Sequence, residues 1–470
     1  MDISDNSKSL TPGINSARLA YDSVKRGVSK DPDSILRKGI WIYFILLIFE
    51  GALRKWIFPG LATPLLLIRD PLAIWLIIAG WRRGMLNGNM YVVVMFLVGT
   101  LAIFTAIFLG HGNILVALYG ARVLIVHFPL IFIVYCVFDK EDIIKIGKFM
   151  VWLTIPMAIL LVFQFYSPQT AWVNRGIGGD TSGGGFEGAL NFFRGPTTFS
   201  FTTGTALFFG LSACFIFYFW LDPKKHIGRP LLICASIALL MSIPFSISRT
   251  LLLSVGITAA FVLLAVSRNP RFFGKVVIIT IVLLMMFVGL SQLGIFQTAT
   301  NAFSFRVNAA SDTEGGVQGI VGGRVLNAFL GAYTSSDDIP FFGYGIGMGT
   351  NVGSTLLTGK TQFLIAEGEW GRLIGEMGLV MGTIVIFIRL SLFYKIAVAS
   401  FKRLKHGDFL PWLLLSNTLL IFPQLSWSQP TELGFCVIIA GFTVASTRVR
   451  SVPVTTQPSE TAVDKKFVHA

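Results

Sequence analysis

Apolar runs of spanning length follow one another along most of this chain, and no other feature restricts its fold as much. An α-helix needs about 20 apolar residues to cross the roughly 30 Å hydrocarbon layer of a bilayer. Runs of that kind lie near residues 40–58, 61–81, 90–110, 113–138, 146–166, 199–221, 230–247, 250–267, 272–293, 372–394, 409–428 and 432–446. The sequence therefore predicts an all-α fold, a polytopic integral membrane helix bundle of about twelve transmembrane helices. Glu50, Arg54 and Lys55 interrupt the first run and leave its limits open. Composition agrees: only 13% of the 470 residues are charged, against about 25% in soluble domains.

The formal net charge of +14 raises the question of nucleic acid. The placement of the cations answers it. They gather in short connections on one predicted side: Arg82 and Arg83, then Lys140, Lys145 and Lys148, then Lys224, Lys225 and Arg229. Arg268, Arg271 and Lys275 follow, then Lys402, Arg403 and Lys405. Basic loops stay in the cytoplasm and are drawn to anionic lipids, so both termini are expected inside a bacterial inner membrane, with membrane lipids and not nucleic acid as partners. This orientation divides the chain into a cytoplasmic arm (1–38), nine helices (39–293), a large periplasmic loop (294–371), three helices (372–446) and a cytoplasmic tail (447–470). The polar N-terminus is unlike a cleavable signal peptide. The four cysteines lie inside apolar runs with no paired spacing, which supports neither a disulfide framework nor a zinc site. No nucleotide, metalloprotease or serine-nucleophile signature occurs, and no metal or cofactor is expected.

Two outside segments stand out. Residues 167–198 are rich in glycine, which permits close backbone approach to a ligand. Residues 294–371 form a loop long enough to be functional rather than connective, and it reads as a lid. Within it Val325, Phe329 and Tyr333 share one helical face, Asp337, Asp338 and Pro340 end that helix, and GYGIGMG makes a tight turn. Ionisable groups at a membrane edge cost about 2.5–3.5 kcal/mol each on the insertion scale and call for a reason. Arg194, Arg249 and Arg324 share the outer face and can converge on one anion, because the guanidinium fork binds phosphate bidentately. The plainer reading of each alone is an anchor at headgroup level. Two carboxylates, Glu367 and Glu369, precede the next span. Glu369, Arg372 and Glu376 are spaced as an ion-pair ladder, which leaves Glu367 as the carboxylate available for general-base work. Arg69 and Asp70 are expected to pair with each other or with neighbours in the bundle, and His127 is assigned no role.

These residues, in this order, resemble the family of bacterial O-antigen polymerases and O-antigen ligases, with their exopolysaccharide polymerase relatives, over roughly residues 90–445. FRGPTTFSFTTGTALFFG is similar to that family's arginine-led entry into a span (Arg194), and FSISRTLLLS to its Ser-Arg turn (Arg249). GGRVLNAFLGAY followed by IPFFGYGIGMGTN resembles the stretch in which an arginine (Arg324) precedes a Gly-x-Gly turn. AEGEWGRLIGEMGLVMG resembles the run that carries a histidine in the ligases; here Glu367 stands in its place, and the loop has no histidine. That departure favours a polymerase-like relative. The resemblance implies glycosyl transfer on the periplasmic face, from an undecaprenyl-diphosphate-linked oligosaccharide donor to a glycan acceptor, with no cofactor. Arg194, Arg249 and Arg324 would hold the diphosphate, Glu367 or Glu369 would serve catalysis, and chain-length regulators or export proteins would be partners. A polysaccharide transporter or flippase of about twelve spans is the alternative. Arginines converging beneath the large loop favour the enzyme, and charged groups lining a path through the bundle favour transport.

Overall fold

Helices form wherever the apolar runs call for them. The computed structural model describes residues 33–448 apart from 223, 269, 271–272, 315–329, 335–338, 361, 363 and 367. The helices are α1 (Ser34–Ala52), α2 (Arg69–Arg82), α3 (Met90–Phe108), α4 (Ile114–Arg122), α5 (Phe128–Val137) and α6 (Lys140–Tyr166). After a two-stranded hairpin, β1 (Phe186–Ala189) and β2 (Phe192–Arg194), come α7 (Thr202–Leu221), α8 (Arg229–Phe245), α9 (Arg249–Arg268) and α10 (Phe273–Ser291). α11 (Gly294–Glu314) and α12 (Asn351–Thr358) belong to the large loop. α13 (Glu369–Lys405), α14 (Leu410–Ile421) and α15 (Pro430–Ala445) complete the chain.

Eight stretches among the described residues are long and apolar enough to cross a membrane, α4 and α5 counting as one. α1 and the shorter α8, α14 and α15 occupy the other four expected places. α7 runs through the middle and is buried on nearly every side, as a helix apolar all round must be. Asn89, Asn113 and Asp139 start α3, α4 and α6 by accepting hydrogen bonds from first-turn backbone N–H groups.

One end of the bundle collects the basic connections. Arg37 pairs with Asp142 at 2.9 Å and Lys140 with Asp408 at 2.8 Å. Arg403 donates to the Thr447 carbonyl, and Arg448 donates to the carbonyls of Tyr135 and Cys136. The first and last described residues therefore lie at the same end. The opposite end, called outer here, carries the hairpin, α11 and the turn-rich segment 339–350.

Two details depart from uninterrupted spans. The expected single crossing over 372–394 is broken at Gly378 (φ 73°, ψ 173°). Its N-terminal arm, 369–377, folds back along 379–405 and brings Glu369 against Arg389. Only glycine fits that bend, since a Cβ there would lie 1.9 Å from the Phe341 carbonyl oxygen. The chain between α14 and α15 is also irregular, and Phe422 and Leu425 offer their carbonyls to Arg389 at 2.9 and 3.2 Å. Such backbone is tolerated inside a bundle when protein groups satisfy it.

Candidate anion-binding site at the outer end

The glycine-rich segment builds the hairpin, the one departure from an all-helical fold among the described residues. β1 and β2 pair antiparallel, with Phe186 opposite Arg194. Leu190 and Asn191, at φ 51° and 64°, close a two-residue turn whose twist matches the strands. The register slips between Glu187 and Ala189, so Gly188 forms a bulge. A Cβ on Gly188 would stand 2.6 Å from the Phe192 carbonyl oxygen and 2.7 Å from Ile247 Cδ1. The bulge is thus pressed onto the turn between α8 and α9. Ile247 is buried in that turn at φ 45°, a conformation that costs a side chain of this kind roughly 1–3 kcal/mol. The strained residue stands two positions before Arg249, which begins α9.

A third cation reaches the same place. Arg306, on α11, donates Nη1 to the carbonyls of Glu187 (3.3 Å) and Gly188 (3.1 Å). Arg194, Arg249 and Arg306 are then close enough to feel one another's charge. Burial first, and then Arg306 and Arg249, push the Arg194 guanidinium down to about 10. Burial and Arg249 lower Arg306 as well. Arg194 Nε is buried with no hydrogen-bond partner among the described residues, and neither Arg194 nor Arg306 forms an ion pair there. Guanidinium groups gathered against repulsion and desolvation are stabilised by an anion. Carboxylate and phosphate groups both accept the fork geometry.

The loop after Arg194 is held tightly. Thr197, at φ 49°, donates its N–H to Gln164 Oε1 at 2.7 Å and accepts from Lys55 Nζ at 2.5 Å. Thr198 Oγ1 donates to the Ile48 carbonyl, and Arg54 donates to Ser200 Oγ. Glu50 takes Arg54 at 3.2 Å and Arg69 at 3.1 Å. The three charges that interrupt the first apolar run are therefore the ones that fix the arginine loop. Asp70 pairs elsewhere: both its oxygens accept from Arg122, at 2.8 and 2.9 Å, and His127 Nε2 lies 2.9 Å away. Tyr43 completes that chain through His127 Nδ1 at 3.0 Å.

The ladder expected from spacing is present. Glu369 is bound by Arg372 Nε and Nη2 at 2.9 and 3.0 Å, and Arg372 Nη1 meets Glu376 at 2.6 Å. Arg389 adds a bond to Glu369 at 2.5 Å while lying over the Trp427 ring. Glu376 also accepts from the Gly349 N–H, and Tyr344 and Gly345 donate to the carbonyls of Gly375 and Glu376. The turn-rich segment, with Gly343, Gly345 and Gly347 all at positive φ, is in this way fastened to the arm 369–377.

Of the residues expected to carry function, Arg194 and Arg249 come together, and Glu369 is held within its ion pairs. Arg324 and Glu367 lie outside the described residues. In the sequence Arg306 is one cation of segment 294–371 with no motif around it, and Lys55 and Gln164 carry no sign of their supporting role. No protein-family model, no curated protein and no solved structure matches the chain.

Proposed function

We propose that this chain is a glycosyltransferase of the bacterial inner membrane. In this reading it has about twelve crossings and cytoplasmic termini, and it polymerises or ligates undecaprenyl-diphosphate-linked oligosaccharide units on the periplasmic face. The observation that carries the reading is the gathering of Arg194, Arg306 and the turn that leads into Arg249 around the Gly188 bulge at the outer end, with the loop after Arg194 held by buried charges. The acceptor hydroxyl oxygen bonds to the anomeric carbon of the donor as the bond from that carbon to the phosphate oxygen breaks. The lipid diphosphate leaves with the electron pair, and the arginines offset its growing charge without a metal. The hydroxyl proton goes to a general base, a role the resemblance gives to Glu367. Glu369 is unsuited to it, because both its oxygens already accept from guanidinium groups. One displacement inverts the anomeric centre.

The test is reconstitution of purified protein with a lipid-diphosphate oligosaccharide, followed by mass analysis of lipid-linked products. Wild type should lengthen them, and Arg194→Lys and Arg249→Lys should do so at least tenfold more slowly, since lysine keeps charge but loses the fork. Normal extension by both variants refutes the site. Transfer to a lipid A core acceptor instead identifies a ligase. A transporter is the second reading, favoured by the buried chain Tyr43–His127–Asp70–Arg122. Translocation of the same labelled lipid in sealed vesicles, without extension, decides for it.

A further inference from the structure

One exposed helix face at the basic end is shaped as a furrow. On α2, Ile74, Ile78 and Arg82 form one ridge at i, i+4, i+8, and Pro71, Trp75 and Arg83 belong to the next. The open groove between them has a volume of about 400 Å³. Ile74, Trp75 and Ile78 are 44%, 40% and 48% exposed, so no other part of the described chain fills it. Trp75 is fixed as a wall because it leans over α1 at Gly39, where a Cβ would stand 2.6 Å from its ring.

The two ends of the furrow differ. The Pro71 end is apolar, and the other is closed by two arginines. Arg83 bonds Asp33 at 2.8 Å and is partly neutralised. Arg82 is exposed and forms no hydrogen bond or ion pair among the described residues. From Pro71 to Arg83 the helix rises about 18 Å at 1.5 Å per residue, against about 15 Å for the hydrocarbon of one leaflet. A furrow one leaflet long, apolar along its length and cationic at its mouth, matches one acyl chain with an anionic headgroup.

We infer that this face of α2 holds an anionic phospholipid from the leaflet on the basic side of the bundle, its acyl chain between the two ridges and its phosphate on Arg82. The inference does not depend on the glycosyltransferase reading, which concerns the opposite end. Basic pockets at helix ends on the cytoplasmic side bind acidic headgroups by this combination of packing and charge.

The experiment is native mass spectrometry of the full chain in detergent, titrated with phosphatidylglycerol or with phosphatidylcholine of the same acyl chains. Wild type should retain one phosphatidylglycerol at a concentration roughly fivefold below that for phosphatidylcholine, as one cation near an anionic headgroup predicts. Arg82→Ala should remove the preference. Ala79→Trp, which fills the furrow and keeps both arginines, should remove the bound lipid. Arg229→Ala, an exposed arginine at the same end on another helix, should change nothing. Equal retention of the two lipids overturns the inference. So does a loss at Arg229→Ala matching that at Arg82→Ala, or a lipid that survives Ala79→Trp.

Discussion

Replacing Glu369 by glutamine should destabilise this protein rather than remove a group that takes part in its chemistry. The carboxylate takes three charge-assisted bonds, from Arg372 at 2.9 and 3.0 Å and from Arg389 at 2.5 Å, and all three residues are at most 4% exposed. Glutamine keeps one acceptor oxygen and turns an NH₂ toward guanidinium donors, so at least one bond is lost and donors face each other. Removing one partner of a buried pair costs about 3–5 kcal/mol, a large share of the roughly 5–15 kcal/mol that holds a domain folded. Arg389 would be left with two backbone carbonyls and the Trp427 ring. Heating detergent-solubilised protein and scoring the monodisperse fraction by size exclusion measures the loss, and the midpoint should fall by several degrees. Glu367→Gln, read in the same way, should leave the midpoint unchanged and suppress extension of lipid-linked product. A Glu369→Gln protein as stable as wild type refutes the claim that this carboxylate is structural. If that protein is also inactive while Glu367→Gln is active, the two roles are reversed.

Arg194→Ala should leave stability unchanged or slightly raised while abolishing product, because it removes a half-buried cation held against Arg249 and Arg306. Arg69→Ala, in contrast, leaves buried Glu50 with Arg54 alone and should lower the thermal midpoint; equal thermal midpoints for the two variants would contradict this. Cysteines placed at the exposed Thr181 and Leu356 should react with an impermeant thiol reagent in intact spheroplasts, and one at Lys405 should not. Labelling at Lys405 alone would invert the orientation and move the arginine cluster to the cytoplasmic side.

The helices were legible because apolar length is a strong signal, and the ladder was legible because Glu369, Arg372 and Glu376 are neighbours on one helical face. The fold-back at Gly378 was not. What requires glycine at the bend is the approach of Phe341, a residue 37 positions earlier that no local pattern announces. The hairpin had one faint signal in Asn191, which tolerates a left-handed turn, but its partner in that turn is Leu190, which ordinarily avoids one. Arg194 and Arg249 could be named because each stands at the mouth of a span, where a cation draws notice. Arg306 sits on a polar helix outside any span, where a cation is ordinary. Only the docking of α11 on Gly188 gives it meaning.

The breaks in regular helix show what the buried charges accomplish. The widened turn Leu53–Ile57 carries Arg54 and Lys55 toward the loop after Arg194. A second, Val123–His127, sets His127 and the preceding Arg122 against Asp70. The bend at Gly378 brings Glu369 to Arg389, whose Nη2 meets carbonyls freed between α14 and α15. Inside a membrane, irregular backbone is stable only if its freed groups find partners, and a bundle that merely anchored the chain would need none of it. Here the charges supply those partners. Those of the first turn fix the residues after Arg194, and Glu376, on the fold-back arm, fastens the turn-rich segment through Gly349. Their effect is to hold the outer-end loops rigid, as a site that must present several guanidinium groups to one anion requires.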